Sequence, residues 1–89
     1  MYYDDSGTVY GFPSIVEVDL VVKDNLHILI EVKSRVSKGD VATLYRKGLL
    51  YERINNIKPK LVILGGFIDE DAYEASEKLN VELKPIIKD

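Results

Sequence analysis

The sequence predicts an α/β domain: a mixed sheet of four or five strands, an antiparallel hairpin joined to parallel strands, flanked by two helices. Three observations lead there. Residues 15–32 alternate between apolar and polar with a period of two and are rich in β-branched side chains, as half-buried strands are. Residues 60–64 form a short, nearly continuous apolar run, the pattern of a parallel strand covered on both faces. Two further stretches, 40–55 and 70–79, carry helix-start and helix-stop residues at helical distances.

Composition frames the reading. The 89 residues suffice for one domain, 1–89, with one core. A content of 46% hydrophobic and 30% charged residues argues against disorder. With no cysteine, disulfides and thiolate metal sites are excluded. No apolar run approaches the roughly 18 residues of a membrane span, so no membrane association and a cytoplasmic location are expected. The absence of Gln and Trp, with abundant Lys and Glu, fits a thermophile. The net charge of −3 hides an asymmetry: −5 over residues 1–32, +6 over 33–60 and −4 over 61–89. A basic middle directly after a group of carboxylates suits a polyanion that must approach a metal; the other reading is a solvated helix face.

Taken in order, residues 8–12 are expected as a short edge strand after a turn at Asp5-Ser6-Gly7, ended by Pro13, with the tyrosines packed on the sheet. Residues 15–23 and 26–32 are the hairpin. Its apolar face is Val18, Leu20, Val22, Ile28, Ile30 and Val32, and its other face carries Glu17, Asp19, Glu31 and Lys33. A two-residue loop, Asp24-Asn25, puts Asp19 and Glu31 on opposite faces. A three-residue loop, Lys23-Asp24-Asn25, pairs Val22 with Leu26 and sets Glu17 opposite Glu31 with Asp19 diagonal to it. The apolar partition favours the three-residue loop.

Residues 34–39 read as a connector, and Ser37 with Asp40 as a capping box opening a helix that runs to Asn55 before Asn56 and Pro59. Val41, Leu44, Tyr45, Gly48 and Tyr51 form its apolar stripe at 100° per residue. Leu50, Ile54 and Ile57 lie on nearly the opposite side, which calls for a second partner: a second copy, making a homodimer through helix 40–57, or a helix outside this sequence. The strand 60–64 follows, then Gly65-Gly66-Phe67 as a turn. Asp69 caps the second helix, which buries Ala72, Ala75, Ser76 and Leu79. Asn80 ends it, and residues 81–83, extending toward Ile87, form the last strand.

The constellation that carries chemistry is Asp19, Glu31 and Lys33. Burying ionisable groups in strands is costly unless they pair or hold a metal. An Asp and a Glu on adjacent strands supply the hard oxygen ligands that Mg²⁺ or Mn²⁺ takes, together with waters and phosphate. A Lys two residues on can orient a metal-bound water or help deprotonate it. In the competing reading Lys33 only pairs with Glu31 or Glu17. His27 lies beside the turn and stays outside the site. Asp69, Glu70 and Asp71 at the second helix start rule out a phosphate loop at Gly65-Gly66.

The order Asp19, then Glu31-Val32-Lys33 after a hairpin, then helix, strand and helix, resembles the PD-(D/E)XK nuclease superfamily over residues 16–83. Within it the chain looks most like archaeal nuclease-like proteins of unassigned function and, more distantly, archaeal Holliday-junction resolvases. The resemblance implies a restriction-endonuclease-like core and Mg²⁺- or Mn²⁺-dependent endonuclease chemistry on the phosphodiesters of nucleic acid, DNA in the first place. It implies that Asp19, Glu31 and the carbonyl of Val32 bind the metal and that Lys33 serves the attacking water. Arg35, Lys38, Arg46 and Lys47 become candidate contacts to the nucleic-acid backbone. Two departures stand out: the superfamily's usual N-terminal helix, often bearing a further Glu, has no counterpart before Asp19, and the residue directly before Asp19 is Val18 rather than Pro. Glu17 is the candidate stand-in for the missing carboxylate. The alternative function is a non-catalytic nucleic-acid-binding or dimerisation module that keeps the fold; a third is a structural piece of a larger protein.

Overall fold

Asp24 and Asn25 both hold a left-handed backbone, φ 51° and 67°. Two such residues in succession close the tight two-residue hairpin turn whose twist matches its strands, and short Asp and Asn side chains tolerate the conformation. The strands they join are β3 (Asp19–Lys23) and β4 (Leu26–Val36), paired with Lys23 opposite Leu26, Val22 opposite His27 and Asp19 opposite Ile30. The expected three-residue loop is therefore corrected to a two-residue one. The computed structural model describes residues 1–86. Among these, a two-stranded ribbon, β1 (Tyr2–Asp4) and β2 (Ser14–Val16), precedes the hairpin. After it come α1 (Lys38–Asn55), β5 (Lys60–Ile68), α2 (Glu70–Leu79) and β6 (Glu82–Pro85). The main sheet runs β3-β4-β5-β6, with β3 antiparallel to β4 and the remaining pairs parallel. The mixed α/β architecture with two helices stands as predicted; Ile87 lies outside the described residues.

The register correction follows from which face the helices cover. Leu29, Leu61 and Ile63 pack with Val41, Leu44, Tyr51, Ala72 and Val81 in the main core, so both helices lie on the face that also carries His27, Glu31 and Lys33. The apolar run Ile28, Ile30 and Val32 points the other way, and Val32 is 65% exposed. Hydrophobic partition misled the parity argument because the polar side chains of β4 are satisfied by the helix rather than by water.

Helix α1 begins where the capping box was expected. The Asp40 amide donates to Ser37 Oγ (3.2 Å), and the Ser37 amide donates back to Asp40 Oδ2 (2.9 Å). It ends at Asn56, left-handed at φ 56°, whose amide donates to the Glu52 carbonyl. Of its predicted stripe, Val41, Leu44, Gly48 and Tyr51 are buried and Tyr45 is partly so. The opposite side has an intramolecular cover: Leu50 is 1% exposed, packed with Val9 and Val16 of the N-terminal segment. That removes Leu50 from the surface invoked for a homodimer and makes an external helix unnecessary at this residue; Ile54 and Ile57 remain exposed.

The N-terminal segment is held differently from its expected edge strand. Residues 5–12 turn through Gly7 (φ 69°) and Gly11 (φ 84°) between β1 and β2. The fully buried Asp4 carboxylate organises the turn, accepting from the Val9 amide (2.8 Å) and lying 3.5 Å from the Arg53 guanidinium. Tyr2 packs edge-on against Tyr51, but Tyr3, Tyr10 and Phe12 are exposed rather than packed on the sheet.

Gly65, Gly66 and Phe67 continue β5 and do not turn. A side chain at Gly65 would place Cβ 2.5 Å from Val36 Cγ2, and one at Gly66 would come 2.9 Å from the Ser34 carbonyl oxygen. The two glycines allow β4 and β5 to stay paired as far as Val36 and Ile68. For the same reason residues 34–36 belong to β4 and not to a connector. Asp69 precedes α2, but its carboxylate makes no cap bond; it accepts from Arg35 instead (3.0 and 3.4 Å).

Candidate active site

Three polar residues of β4 that face the helices each meet a partner on α1. His27 Nδ1 shares a hydrogen bond with the Tyr51 hydroxyl, Glu31 Oε2 lies 3.7 Å from Lys47 Nζ, and Lys33 Nζ donates to Asp40 Oδ1 at 2.8 Å. The pairing runs in opposite directions on the two elements, because α1 returns along the strand it follows. On the helix, Asp40, Lys47 and Tyr51 are spaced seven and four apart, which puts them within about 40° of one another at 3.6 residues per turn. This spacing is the signal in the sequence that identifies them as a set.

Glu31 borders a pocket of about 140 Å³ lined by Glu17, Val18, Asp19, Leu29, Ile30, Leu44 and Lys47. Strand parity sets Asp19 opposite Ile30 and not on the face of Glu31, contrary to expectation. Both residues still line this pocket, because Asp19 is the first residue of β3, next to the irregular residues Glu17 and Val18. Glu17 lines it too. The structure therefore places Asp19, Glu31 and Glu17 around one pocket without bringing the three side chains to a common point. Val32, whose carbonyl is the third expected ligand, lies in β4 opposite Leu64.

Lys33 is not part of the pocket lining. Its ammonium is bonded to Asp40, whose second oxygen accepts from the Ser37 amide (2.9 Å) and hydroxyl (3.0 Å). The bond to Asp40 raises the Lys33 pKa above its ordinary value; burial opposes this, and the Asp40 and Glu31 charges add to the rise. Burial pushes the Asp40 carboxyl up, but the bonds from Lys33 and Ser37 outweigh it and hold the pKa below the usual carboxylate range. Lys33 is thus a protonated donor close to Glu31 rather than a ready base. Glu31 and Lys33 also sit within β4 and not at its end, since the strand runs on to Val36.

The four basic residues proposed for the nucleic-acid backbone have different surroundings. Lys38, at the start of α1, is exposed. Arg35 is exposed but bonded to Asp69. Arg46 donates to the Val9 carbonyl (2.8 Å) and fastens the N-terminal segment to α1. Lys47 has a buried stem that lines the carboxylate pocket. A larger cavity, about 960 Å³, lies where α1 and α2 end and β5 begins. It contains none of Asp19, Glu31 or Lys33, and Lys58, Lys60 and Lys78 in its wall are offset by Glu52, Glu77 and Glu82.

A family model for the PD-(D/E)XK nuclease superfamily matches residues 14–82, from the start of β2 into β6. The chain belongs to the PD-(D/E)XK nuclease superfamily. The match spans the hairpin, Glu31-Val32-Lys33, α1, β5 and α2, and so includes every residue that lines the pocket. No curated protein and no solved structure matches the chain. Nuclease-type chemistry and a nucleic-acid partner follow at the level of the superfamily. Its members generally use divalent metal ions, and the donor set of the pocket suits one. Three carboxylates offer hard oxygen ligands, and Mg²⁺ needs only one or two of them beside water and phosphate. Among the described residues no three acidic or imidazole side chains converge as a ready-made cation cage. No helix among them is long and apolar enough to cross a membrane.

Proposed function

We propose that the chain hydrolyses phosphodiester bonds of DNA in a Mg²⁺- or Mn²⁺-dependent reaction at the pocket of Asp19, Glu31 and Glu17. The observation that carries this reading is that Asp19 and Glu31, from the two strands of the hairpin, border one small pocket beside Lys33. A divalent ion bound there supplies a Lewis acid for the phosphate and an acidified water. Asp19, Glu31 and the Val32 carbonyl hold it, with Glu17 in reserve. Lys33, bonded to Asp40 in the metal-free chain, would orient the water and offer positive charge to the phosphate. Lys38 and Arg35 lie on the approach from the basic stretch 33–60 and meet the backbone.

The test is cleavage of plasmid, single-stranded and branched DNA with Mg²⁺, with Mn²⁺ and with chelator. The branched substrate is included because of the distant likeness to archaeal junction resolvases. Products are expected only with metal, and Glu31→Ala or Lys33→Ala should abolish them. Cleavage that survives both substitutions sinks the site. A second reading, a non-catalytic DNA-binding module, is favoured by one observation: the Lys33 ammonium is committed to Asp40 and not to the pocket. It requires salt-sensitive retention of DNA with no products under any metal. A homodimer through helix 40–57 rests on Ile54 and Ile57 alone, and a monomeric elution volume in gel filtration would exclude it.

A further inference from the structure

We propose that Lys47 is the resident counter-ion of the carboxylate pocket and that a divalent cation binds by displacing its ammonium from Glu31. The inference rests on the metal site argued above and concerns how that site is loaded.

Lys47 stands apart from the other paired bases by burial, since their side chains are all at least 40% exposed. Lys33, Arg35 and Arg53 each donate at least one hydrogen bond at 3.0 Å or less and lie on partly open surface. The Lys47 side chain is only 11% exposed, yet its ammonium stops 3.7 Å from Glu31 Oε2, beyond hydrogen-bond range. Among the described residues Glu31 is its one ion-pair partner. The stem is buried while the ammonium keeps contact with solvent at the pocket, and a charge brought this far into the wall is favoured only where the field around it is negative. Here the field comes from Glu31, Glu17 and Asp19 around the same pocket. The dependence is mutual: without Lys47 the half-buried Glu31 has no facing cation, and the exposed Glu17 and Asp19 add only like charge.

A dication taken by Glu31 comes within a few ångströms of Lys47 and is repelled by it, so the two compete for one carboxylate. The competition is reciprocal, because whatever weakens one partner's hold strengthens the other's by the same factor. Lysine suits the exchange, since its stem stays packed against apolar neighbours while its head swings to solvent. A phosphate arriving at the mouth of the pocket offers that head a new anion. Metal and nucleic acid thereby favour each other's binding, and the carboxylates stay neutralised until both are present.

The experiment is Mn²⁺ binding, followed by the loss of the free-ion electron paramagnetic resonance signal, for the full chain and for Lys47→Met, Lys47→Arg and Glu31→Ala. Lys47→Met keeps the stem and removes the charge. It should bind Mn²⁺ at least about fivefold tighter than the wild type, the lower end of ordinary couplings, and Lys47→Arg should stay near wild type. In the wild type, saturating Mn²⁺ should raise the acetylation rate of Lys47, read by mass spectrometry, and leave that of the exposed Lys78 unchanged. Lys47→Met binding no tighter than wild type, while Glu31→Ala loses the ion, overturns the counter-ion and leaves the metal site standing. Glu31→Ala binding as tightly as wild type overturns the metal site itself. Should Lys47→Met not fold, the labelling decides: equal protection of Lys47 with and without Mn²⁺ overturns the proposal.

Discussion

Breaking the Lys33–Asp40 pair tests at once how α1 is anchored and what the signature lysine does in the metal-free chain. Asp40 makes two kinds of interaction. It closes the capping box with Ser37, and it accepts from Lys33 at 2.8 Å with side chains 40% and 25% exposed. Losing a cap costs about 1 kcal/mol. An ion pair this open to solvent is worth only about 0.5 kcal/mol. Asp40→Ala should therefore cost about 1.5 kcal/mol, or roughly 6–12 °C in Tm for a domain of this size. Lys33→Met should cost about 0.5 kcal/mol, roughly 2–4 °C. In the double variant the two should fail to add by about 0.5 kcal/mol, the pair's own contribution. Urea unfolding followed by far-UV circular dichroism on all four chains measures the cycle. A coupling of zero would show that Lys33 is not held by Asp40, and the assignment of Lys33 as a tethered, protonated donor would fall with it. Asp40→Ala costing no more than Lys33→Met would refute the capping box as the anchor of α1.

Three further outcomes follow from the same geometry. Leu50→Ala should cost about 2–5 kcal/mol, as for a filled core site, whereas Ile54→Ala on the exposed side should stay within about 0.5 kcal/mol; equal effects in denaturant melts would refute the N-terminal cover of α1. Gly65→Ala drives a methyl toward Val36 and should destabilise by about 1–3 kcal/mol, and a neutral melt would show that β4 and β5 are not as close as drawn. Asp40 holds its proton less tightly when folded than when unfolded, so its stabilisation is complete above the ordinary carboxyl range and is lost as pH falls below about 4. The urea midpoint should fall between pH 5 and 3, and less steeply in Asp40→Asn. An identical acid limb in that variant would refute the linkage. Lys33, raised instead, contributes fully at neutral pH and loses its part only above about pH 10.4.

Much of this architecture is written in local chemistry. The capping box at Ser37 and Asp40, the left-handed stops at Asn56 and Asn80 and the buried stripe from Val41 to Tyr51 depend on neighbours a few residues apart. So does the left-handed bend at Asp24 and Asn25. The glycines of β5 fail the same test. Gly65-Gly66 has the composition of a turn, and only the approach of Val36 and Ser34 from the neighbouring strand makes it a strand. Leu50 is another such residue, since the segment that buries it lies some forty residues away in sequence.

The candidate site divides along the same line. The sequence by itself determined that Asp19, Glu31 and Lys33 stand in the order of a metal-dependent nuclease signature around a hairpin, because residue types and spacing are local properties. Only the tertiary structure decided which face of β4 the helices cover, and with it that Glu31 meets Lys47 and Lys33 meets Asp40. The physical reason is that alternation along a strand assigns side chains to two faces but does not say which face is buried. Complementary polar groups on α1 made the charged one acceptable to the core.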